Sequence, residues 1–233
     1  MHFLHAPAIW QAFPQLVPGV LIVGGITPAP DVTARLEPWY ERARQRLQTM
    51  NESDMPEVAA WRRAYAQMGL KPTQYRSAAE ALLRRFKREN TLPPLHPLVD
   101  LCNAVSLAFA LPVAVIDIAH VAEFIEVRHA DGTERYLAWS GEVEHPEPGE
   151  VIFADAAQEV HARRWTFRQS RRSVVQPDTR QALIISEGLH ASANHDIPAL
   201  LDALTAEISA GWSPPRQRAL LSADKPRLDF SEE

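Results

Sequence analysis

The pattern of apolar residues changes from helical to strand-like near Pro112, and this change constrains the fold most. Before it, cap residues and helix-forming composition predict helices over residues 32–50, 55–68, 78–88 and about 97–109. After it, short β-branched runs separated by turn residues predict strands: VAVIDI, FIEVRHA, RYLAW, VIFAD, VHARRWTF and ALIISEG. Helices followed by largely antiparallel strands predict an α+β fold rather than a doubly wound sheet.

The order of these elements also suggests how the chain is divided. Residues 17–27 form an apolar run that predicts a buried strand, and residues 1–70 are expected to be a strand-plus-helix extension packed on the core. The main domain is expected over residues 71–212, with Asp131-Gly132 as a hairpin turn and a last helix from Asp196 to about Ala210. The polar, proline-rich residues 213–233 are expected to be a mobile tail.

Composition excludes several classes of protein. A chain of 233 residues with 46% hydrophobic and 23% charged residues can bury an ordinary core, and its single Cys102 cannot form an internal disulfide. The apolar run VPGVLIVGGI is too short to cross a membrane, and no lysine or arginine precedes Arg35. We therefore expect a soluble cytoplasmic protein that does not associate with membranes.

The charge of the chain argues against a general affinity for nucleic acids. The formal net charge is -5, so we expect no DNA partner. Two local basic runs remain, one at residues 84–88 and one at residues 163–172. Each is either a contact surface for RNA or an ordinary solvated face.

Three polar residues in the otherwise largely apolar stretch HPLVDLCNAVSLAFALPVAVID are candidate site residues. Asp100 and Asn103 are three residues apart on a predicted helix and so share a face, and Asp117 ends an apolar strand. Each such buried polar group costs about 1–3 kcal/mol if it has no partner. Two interpretations are open: these residues line a site, or they cap and tie neighbouring loops such as TLPPLHP.

Two further stretches offer candidate site residues. In KPTQYRSAAEALLRR, Arg76 and Ser77 precede a helix whose free amides suit an anion or a carbonyl, although a plain N-cap at Ser77 is the simpler interpretation. In VIFADAAQEVHARRWTFRQSRRS, Asp155 follows a strand. The same stretch combines an aromatic ring, a cation and an amide suited to nucleotides, although an exposed strand edge would look alike; these residues are Trp165, Arg168 and Gln169.

The sequence lacks the motifs typical of metal sites, phosphate-binding loops and catalytic serine nucleophiles. The nine histidines form no H-x-x-x-H pair, so we expect no metal, and no glycine-rich phosphate loop follows a predicted strand. No G-x-S-x-G elbow is present, and Cys102 lies in an apolar helix pattern. We therefore expect neither a cofactor nor a protein nucleophile.

The stretches YRSAAEALLRR, LPPLHPLVDLCNAVSLAFALPVAVIDI and VIFADAAQEVHARRWTFRQSRRS, in that order, resemble free-standing proteins of the B3/B4 domain family. The family pattern has a YRPS helix start, an NPLVD helix with a later N and VSL, a P-V-G-aromatic-D strand, and a late R-W and R-Q-S segment. The resemblance covers about residues 70–190. The chain departs from the pattern in lacking a proline after Arg76, in having His96 for an asparagine-like residue, and in having Ile116 for an aromatic residue.

The family includes the editing domain of the phenylalanyl-tRNA synthetase beta subunit, which hydrolyses the ester of tRNA mischarged with tyrosine. The resemblance implies a fold of mainly antiparallel β layers packed with helices. It also implies that this chain acts in trans on the aminoacylated acceptor end of tRNA. The alternative is a non-catalytic module that binds RNA, an amino acid or a partner protein; the sequence predicts neither the amino acid nor the oligomeric state.

The resemblance also implies roles for particular residues. The polar groups expected to act in catalysis are Asn103 and Asp117. The residues expected to bind the substrate are Arg76, Ser77, Asp100, Asp155, Trp165, Arg168 and Gln169. The helix that carries Asp100 and Asn103, the strand end at Asp117 and the Arg76–Ser77 corner are expected to line one hollow.

Overall fold

The computed structural model describes residues 1–231 and has an α+β fold, as predicted. The helices are α1 (Pro7–Ala12), α2 (Thr33–Thr49), α3 (Pro56–Gln67), α4 (Ala78–Glu89), α5 (Pro97–Phe109) and α6 (Ala193–Gly211). The strands are β1 (His2–His5), β2 (Val17–Gly24), β3 (Val113–Asp117), β4 (Phe124–His129), β5 (Arg135–Leu137), β6 (Val143–Glu144), β7 (Val151–Ala154), β8 (Glu159–Arg163), β9 (Arg168–Gln169), β10 (Gln181–Gly188), β11 (Gln217–Leu220) and β12 (Arg227–Asp229).

Local sequence signals explain where the helices begin. The Ser77 hydroxyl caps α4 by accepting a hydrogen bond from the Glu80 amide at 3.2 Å, as the capping-box spacing predicted. Pro97 occupies the first position of α5, where a missing amide proton costs nothing. Pro38 lies within α2 rather than ending it.

The strands form two sheets. The larger has the order β12-β1-β4-β7-β8-β5-β6, with β9 beside β8, and the smaller has the order β11-β2-β10-β3. Most neighbours are antiparallel, but β1 with β4 and β5 with β8 are parallel. Residues 1–70 contribute β1 to one sheet and β2 to the other, so this predicted extension is hydrogen-bonded into the core as well as packed on it.

The smaller sheet lies between helices and the larger sheet. Val20 and Ile22 of β2 pack in the cluster shared with the larger sheet, whereas Leu21 and Val23 pack in the cluster shared with α5 and α6. This alternation explains the continuous apolar run in the sequence, because both faces of the strand are buried. A Cβ on Gly19 would lie 2.6 Å from Ile197 Cγ2, so glycine permits the close approach of α6.

The predicted hairpin at Asp131-Gly132 is wrong. β4 is hydrogen-bonded to β1 on one side and β7 on the other, so no edge is left for β5, which pairs with β6 and β8. The buried Glu134 carboxylate instead accepts hydrogen bonds from the Asp131 and Gly132 amides and from the Arg128 guanidinium. Asp131 and Gly132 thus lie in a loop that is stabilised by hydrogen bonds to the Glu134 carboxylate.

The expectation of a mobile tail is also wrong for much of residues 213–231. β11 pairs with β2, β12 pairs with β1, and Leu221 and Phe230 are buried in the core between the sheets. β11 (QRAL) and β12 (RLD) are short and largely exposed, as expected of strands at the edges of sheets. Glu232 and Glu233 lie outside the described residues.

Two neighbouring leucines test whether this segment is structural. Leu221 is 4% exposed and Leu220 is 44% exposed. Leu221→Ala should lower the free energy of unfolding by about 2–5 kcal/mol, because it removes buried methyl groups and leaves a cavity. Leu220→Ala, the matched control, should change it by less than about 0.5 kcal/mol. Denaturant unfolding measures both, and equal, negligible effects would mean that the segment is not packed.

Candidate functional site

A cleft of about 420 Å³ lies beside β3, the start of α5 and the loop after β9. β3 is an edge strand whose only neighbour among the described residues is β10. The cleft therefore lies along an open sheet edge, where ligand contacts can replace strand pairing. Its walls are mainly valine and proline side chains, and its polar lining residues are His96, Asn103, Gln169 and Gln176.

Asn103 and Asp100 do not share a site. Asn103 lines the cleft from α5, and within residues 1–231 its side chain has no hydrogen-bond partner. Asp100 Oδ1 accepts a hydrogen bond from the Leu95 amide at 2.9 Å and so ties the TLPPLHP loop, which was the alternative interpretation. Burial raises the pKa of Asp100, with the Leu95 amide opposing that shift.

His96 is a cleft residue that the sequence analysis noted only as a departure from the family pattern. Its Nδ1 caps α5 by accepting a hydrogen bond from the Leu98 amide at 3.2 Å. Because Nδ1 accepts, the proton of the neutral ring is assigned to Nε2, which is buried and has no partner within residues 1–231. Burial lowers the pKa of His96, so the ring is a neutral donor at pH 7.

Asp117 shapes the cleft without lining it. It is 3% exposed; its Oδ2 accepts a hydrogen bond from the Thr179 hydroxyl at 2.6 Å and its Oδ1 accepts one from the Ala119 amide at 3.0 Å. The Thr179 oxygen in turn accepts a hydrogen bond from the amide of Gln176, a cleft residue. Asp117 therefore holds one wall of the cleft in place through this chain of bonds.

Gln169 lines both the cleft and a second, smaller cavity of about 60 Å³. Its Nε2 donates hydrogen bonds to the Val115 carbonyl at 2.8 Å and the Ser173 carbonyl at 3.2 Å. The first of these bonds supplies a partner for a backbone carbonyl on the open edge of β3. These bonds use the amide nitrogen and leave Oε1 as the atom available to a ligand. Trp165, Arg168 and Ala78 line the smaller cavity with it.

The prediction that Trp165 stacks on nucleotides is wrong, because its ring is completely buried. Its indole N–H donates to both carboxylate oxygens of Glu187 at 3.0 Å, and its ring packs edge-on against Phe13 and Trp61. Glu187 also lies 2.6 Å from His5 Nε2 and lines the smaller cavity. The sequence signal for it was a lone carboxylate in the apolar strand ALIISEG.

Three other predicted residues lie outside the cleft. Ser77 caps α4, and Asp155 accepts hydrogen bonds from the amides of Ala122, Ala157 and Glu159, so both organise backbone. Arg76 donates to the Thr73 carbonyl at 2.6 Å and lines a separate basic hollow. Of the predicted residues, Asn103 and Gln169 line the cleft, and Trp165 and Arg168 line the cavity beside it.

One group of potential metal ligands occurs away from the cleft. Ligand atoms of Glu57, His190 and Asp196 lie within 4.8 Å of one another. Arg46 donates to both Glu57 oxygens at 2.7 and 2.8 Å, and a guanidinium in that position repels a divalent cation. Burial would raise the pKa of Asp196, but hydrogen bonds from Ser192 and two histidines lower it to about 2. The group therefore fits two neighbouring ion pairs, Arg46 of α2 with Glu57 of α3 and His190 with Asp196 of α6.

Comparisons with known proteins bear on the family. A model of the B3/4 domain family matches residues 60–197, which is more than half of the chain. The chain is also similar to the structure of an N-terminal fragment of the phenylalanyl-tRNA synthetase beta-subunit from Pyrococcus horikoshii, with 10% sequence identity and a TM-score of 0.43. That match covers 89% of this chain and 47% of the fragment, so the chain spans about half its length. A comparison with curated protein sequences finds no significant match. Within residues 1–231 no helix is long and apolar enough to cross a membrane.

The lowered pKa of His96 predicts a pH dependence of stability. The pKa of the folded protein lies below the ordinary value of 6.5. As the pH falls below that value, the unfolded chain binds the proton first, so the free energy of unfolding decreases. The contribution is complete above about pH 6.5 and is lost toward lower pH. His96→Ser keeps a capping side chain and should remove this part of the dependence in unfolding measured from pH 8 to 5. An NMR titration midpoint for His96 above 6.5 would contradict the assignment.

Proposed function

The chain belongs to the B3/4 domain family, and on that premise we propose that it is a trans-acting aminoacyl-tRNA deacylase. Its substrate would be the aminoacylated 3′ end of a mischarged tRNA, as the resemblance to the editing domain implies. The observation that carries this proposal is the pairing of two donors without protein partners in one cleft. These are the side-chain amide of Asn103 and the Nε2–H of His96, a lining residue whose Nε2 is itself buried.

The chemistry needs little beyond such donors. A water oxygen bonds to the ester carbonyl carbon and the bond to the ribose oxygen breaks. One water proton ends on that ribose oxygen, and the second is released when the new carboxylic acid ionises. Donors placed at the carbonyl oxygen stabilise its developing negative charge, and each is worth about 10²–10³ in kcat. His96 and Asn103 would have this role.

No protein nucleophile is required, because the aminoacyl ester is activated and the neighbouring ribose hydroxyl can assist the attack. Cys102 is unsuited to this role, since it is fully buried and burial raises the pKa of its thiol. Water activation therefore fits the residues around the cleft better than a covalent intermediate.

The mouth of the cleft suits the terminal nucleotide. Trp139 lines the cleft and is 61% exposed, so one ring face is accessible. Base stacking on such a ring contributes about 1–3 kcal/mol per base. Trp139 therefore takes the role that the sequence analysis gave to Trp165. Gln169 Oε1 would accept a hydrogen bond from the ribose or from the amino group.

A specific observation favours the second candidate, a non-catalytic binding module. No carboxylate lines the cleft within residues 1–231, and the basic nitrogen of His96 already caps α5. A protein general base is thus missing from the lining. Such a module would bind an aminoacylated RNA end without turnover.

A panel of mischarged tRNAs distinguishes the two candidates. The wild type should release at least one amino acid, and Asn103→Ala should lower kcat by about 10²–10³. Asn194→Ala, an exposed asparagine on α6, is the matched control and should retain full activity. Binding of the whole panel without any release would reject the deacylase and leave the binding module.

A further inference from the structure

A basic hollow of about 470 Å³ lies between α4 and the single turn at residues 52–54. It shares no lining residue with the cleft or with the smaller cavity. Four cations and one carboxylate line it: Arg76, Arg84, Lys87, Arg88 and Glu52. The whole chain has a net charge of -5, so this concave positive surface is contrary to the overall charge.

A completely buried carboxylate organises the arginines of the basic hollow. Glu80 Oε1 lies 3.1 Å from Arg84 Nε, and 3.6 Å from both Arg62 Nη1 and Arg76 Nε. One negative charge thus holds three guanidinium groups, which leaves an excess of positive charge at fixed positions. Side chains fixed in advance lose less conformational entropy when they bind an anion.

The remaining ion pairs of the basic hollow do not neutralise it. Glu52 is shared between Arg84 at 3.4 Å and Lys87 at 3.3 Å. Arg88 is 72% exposed and pairs with Glu89, which also pairs with Arg85. Each of these carboxylates therefore serves two cations, and the exposed pair of Arg88 with Glu89 contributes little energy. A polyanion can displace such contacts at small cost.

Cations and rings connect the basic hollow to the cleft. Arg164 lies over the Tyr75 ring at 4.6 Å and over the Phe167 ring at 5.8 Å, and Tyr75 precedes Arg76 of the hollow. Arg168 lies over Phe167 at 5.5 Å and lines the smaller cavity, which shares Gln169 with the cleft. These contacts link Arg168, beside the cleft, through Phe167 and Arg164 to Tyr75, which precedes Arg76.

We infer that the basic hollow binds backbone phosphates of the RNA whose 3′ end enters the cleft. This inference rests on the proposed function for its choice of RNA. Guanidinium groups match phosphate oxygens in two-point hydrogen bonds, and phosphate contacts fix the register of a nucleic acid without reading its sequence. The hollow would therefore let one protein accept several tRNAs and position each 3′ end alike.

Salt dependence of binding to deacylated tRNA tests the inference. Lys87→Gln with Arg88→Gln leaves the three arginines on Glu80 in place, so folding should be retained. If both residues contact phosphates, the slope of log affinity against log salt should fall in magnitude by about 2. The control is Arg218→Gln with Lys225→Gln, which makes the same change of net charge on β11 and the turn after it. The control should leave the slope unchanged.

A second measurement separates this inference from the proposed function. Hydrolysis of a 3′-aminoacyl adenosine, which has no stem phosphates, should be equal in the wild type and in both double variants. If the wild type hydrolyses no ester, the deacylase fails, while a loss of slope confined to Lys87→Gln with Arg88→Gln still supports the phosphate site. Equal slopes in all three proteins overturn the inference. So does polyglutamate binding that depends on the hollow while tRNA binding does not.

Discussion

Burial of the smaller sheet on both faces is the constraint on which the rest of the structure depends. β2 and β10 lie between α6 and the larger sheet, so burying a charged side chain on them is costly unless it has an internal partner. Glu187 near the end of β10 meets this requirement through Trp165 and His5, which come from distant parts of the chain. The bond to Trp165 fixes the segment that leads to Gln169, and Gln169 covers part of the free edge of β3. The hydrogen bonds of the buried Glu187 thus help to position the residues beside the cleft.

Different residues of the cleft form its walls, position its loops and offer hydrogen-bond donors. Its walls are mainly apolar, and the hydrogen bonds that link the buried Asp117 and Thr179 side chains to the Gln176 amide hold one loop in place. Two lining donors have no protein partner: the Nε2–H of His96, which caps α5, and the side-chain amide of Asn103 on α5. A helix is a stiff support, so the spacing of His96 and Asn103 is set by the backbone and not by loop motion.

The sequence predicted most accurately what is determined locally. The bounds of α5 follow from Pro97 and from the end of the apolar pattern, and the Ser77 cap follows from Glu80 three residues later. Long-range pairing was not predictable from the same signals. Asp131-Gly132 looks like a hairpin turn, but β4 finds better partners in β1 and β7; β11 and β12 look like tail residues because edge strands are polar. The sequence around Trp165 and Asp155 suggests ligand contacts, because sequence alone does not distinguish a buried side chain from an exposed one. His96 was overlooked because its free nitrogen becomes evident only when the other nitrogen is seen to cap α5.

The central claim is that the cleft holds an aminoacylated RNA end, with its carbonyl near His96 and Asn103. NMR with a 3′-aminoacylamino adenosine, in which a stable amide replaces the ester, tests it most directly. The account predicts that saturating ligand shifts the imidazole signals of His96, the side-chain amide of Asn103 and the indole of Trp139, and leaves the buried indole of Trp165 nearly unchanged. Shifts confined to another surface, or no binding at millimolar ligand, would contradict it.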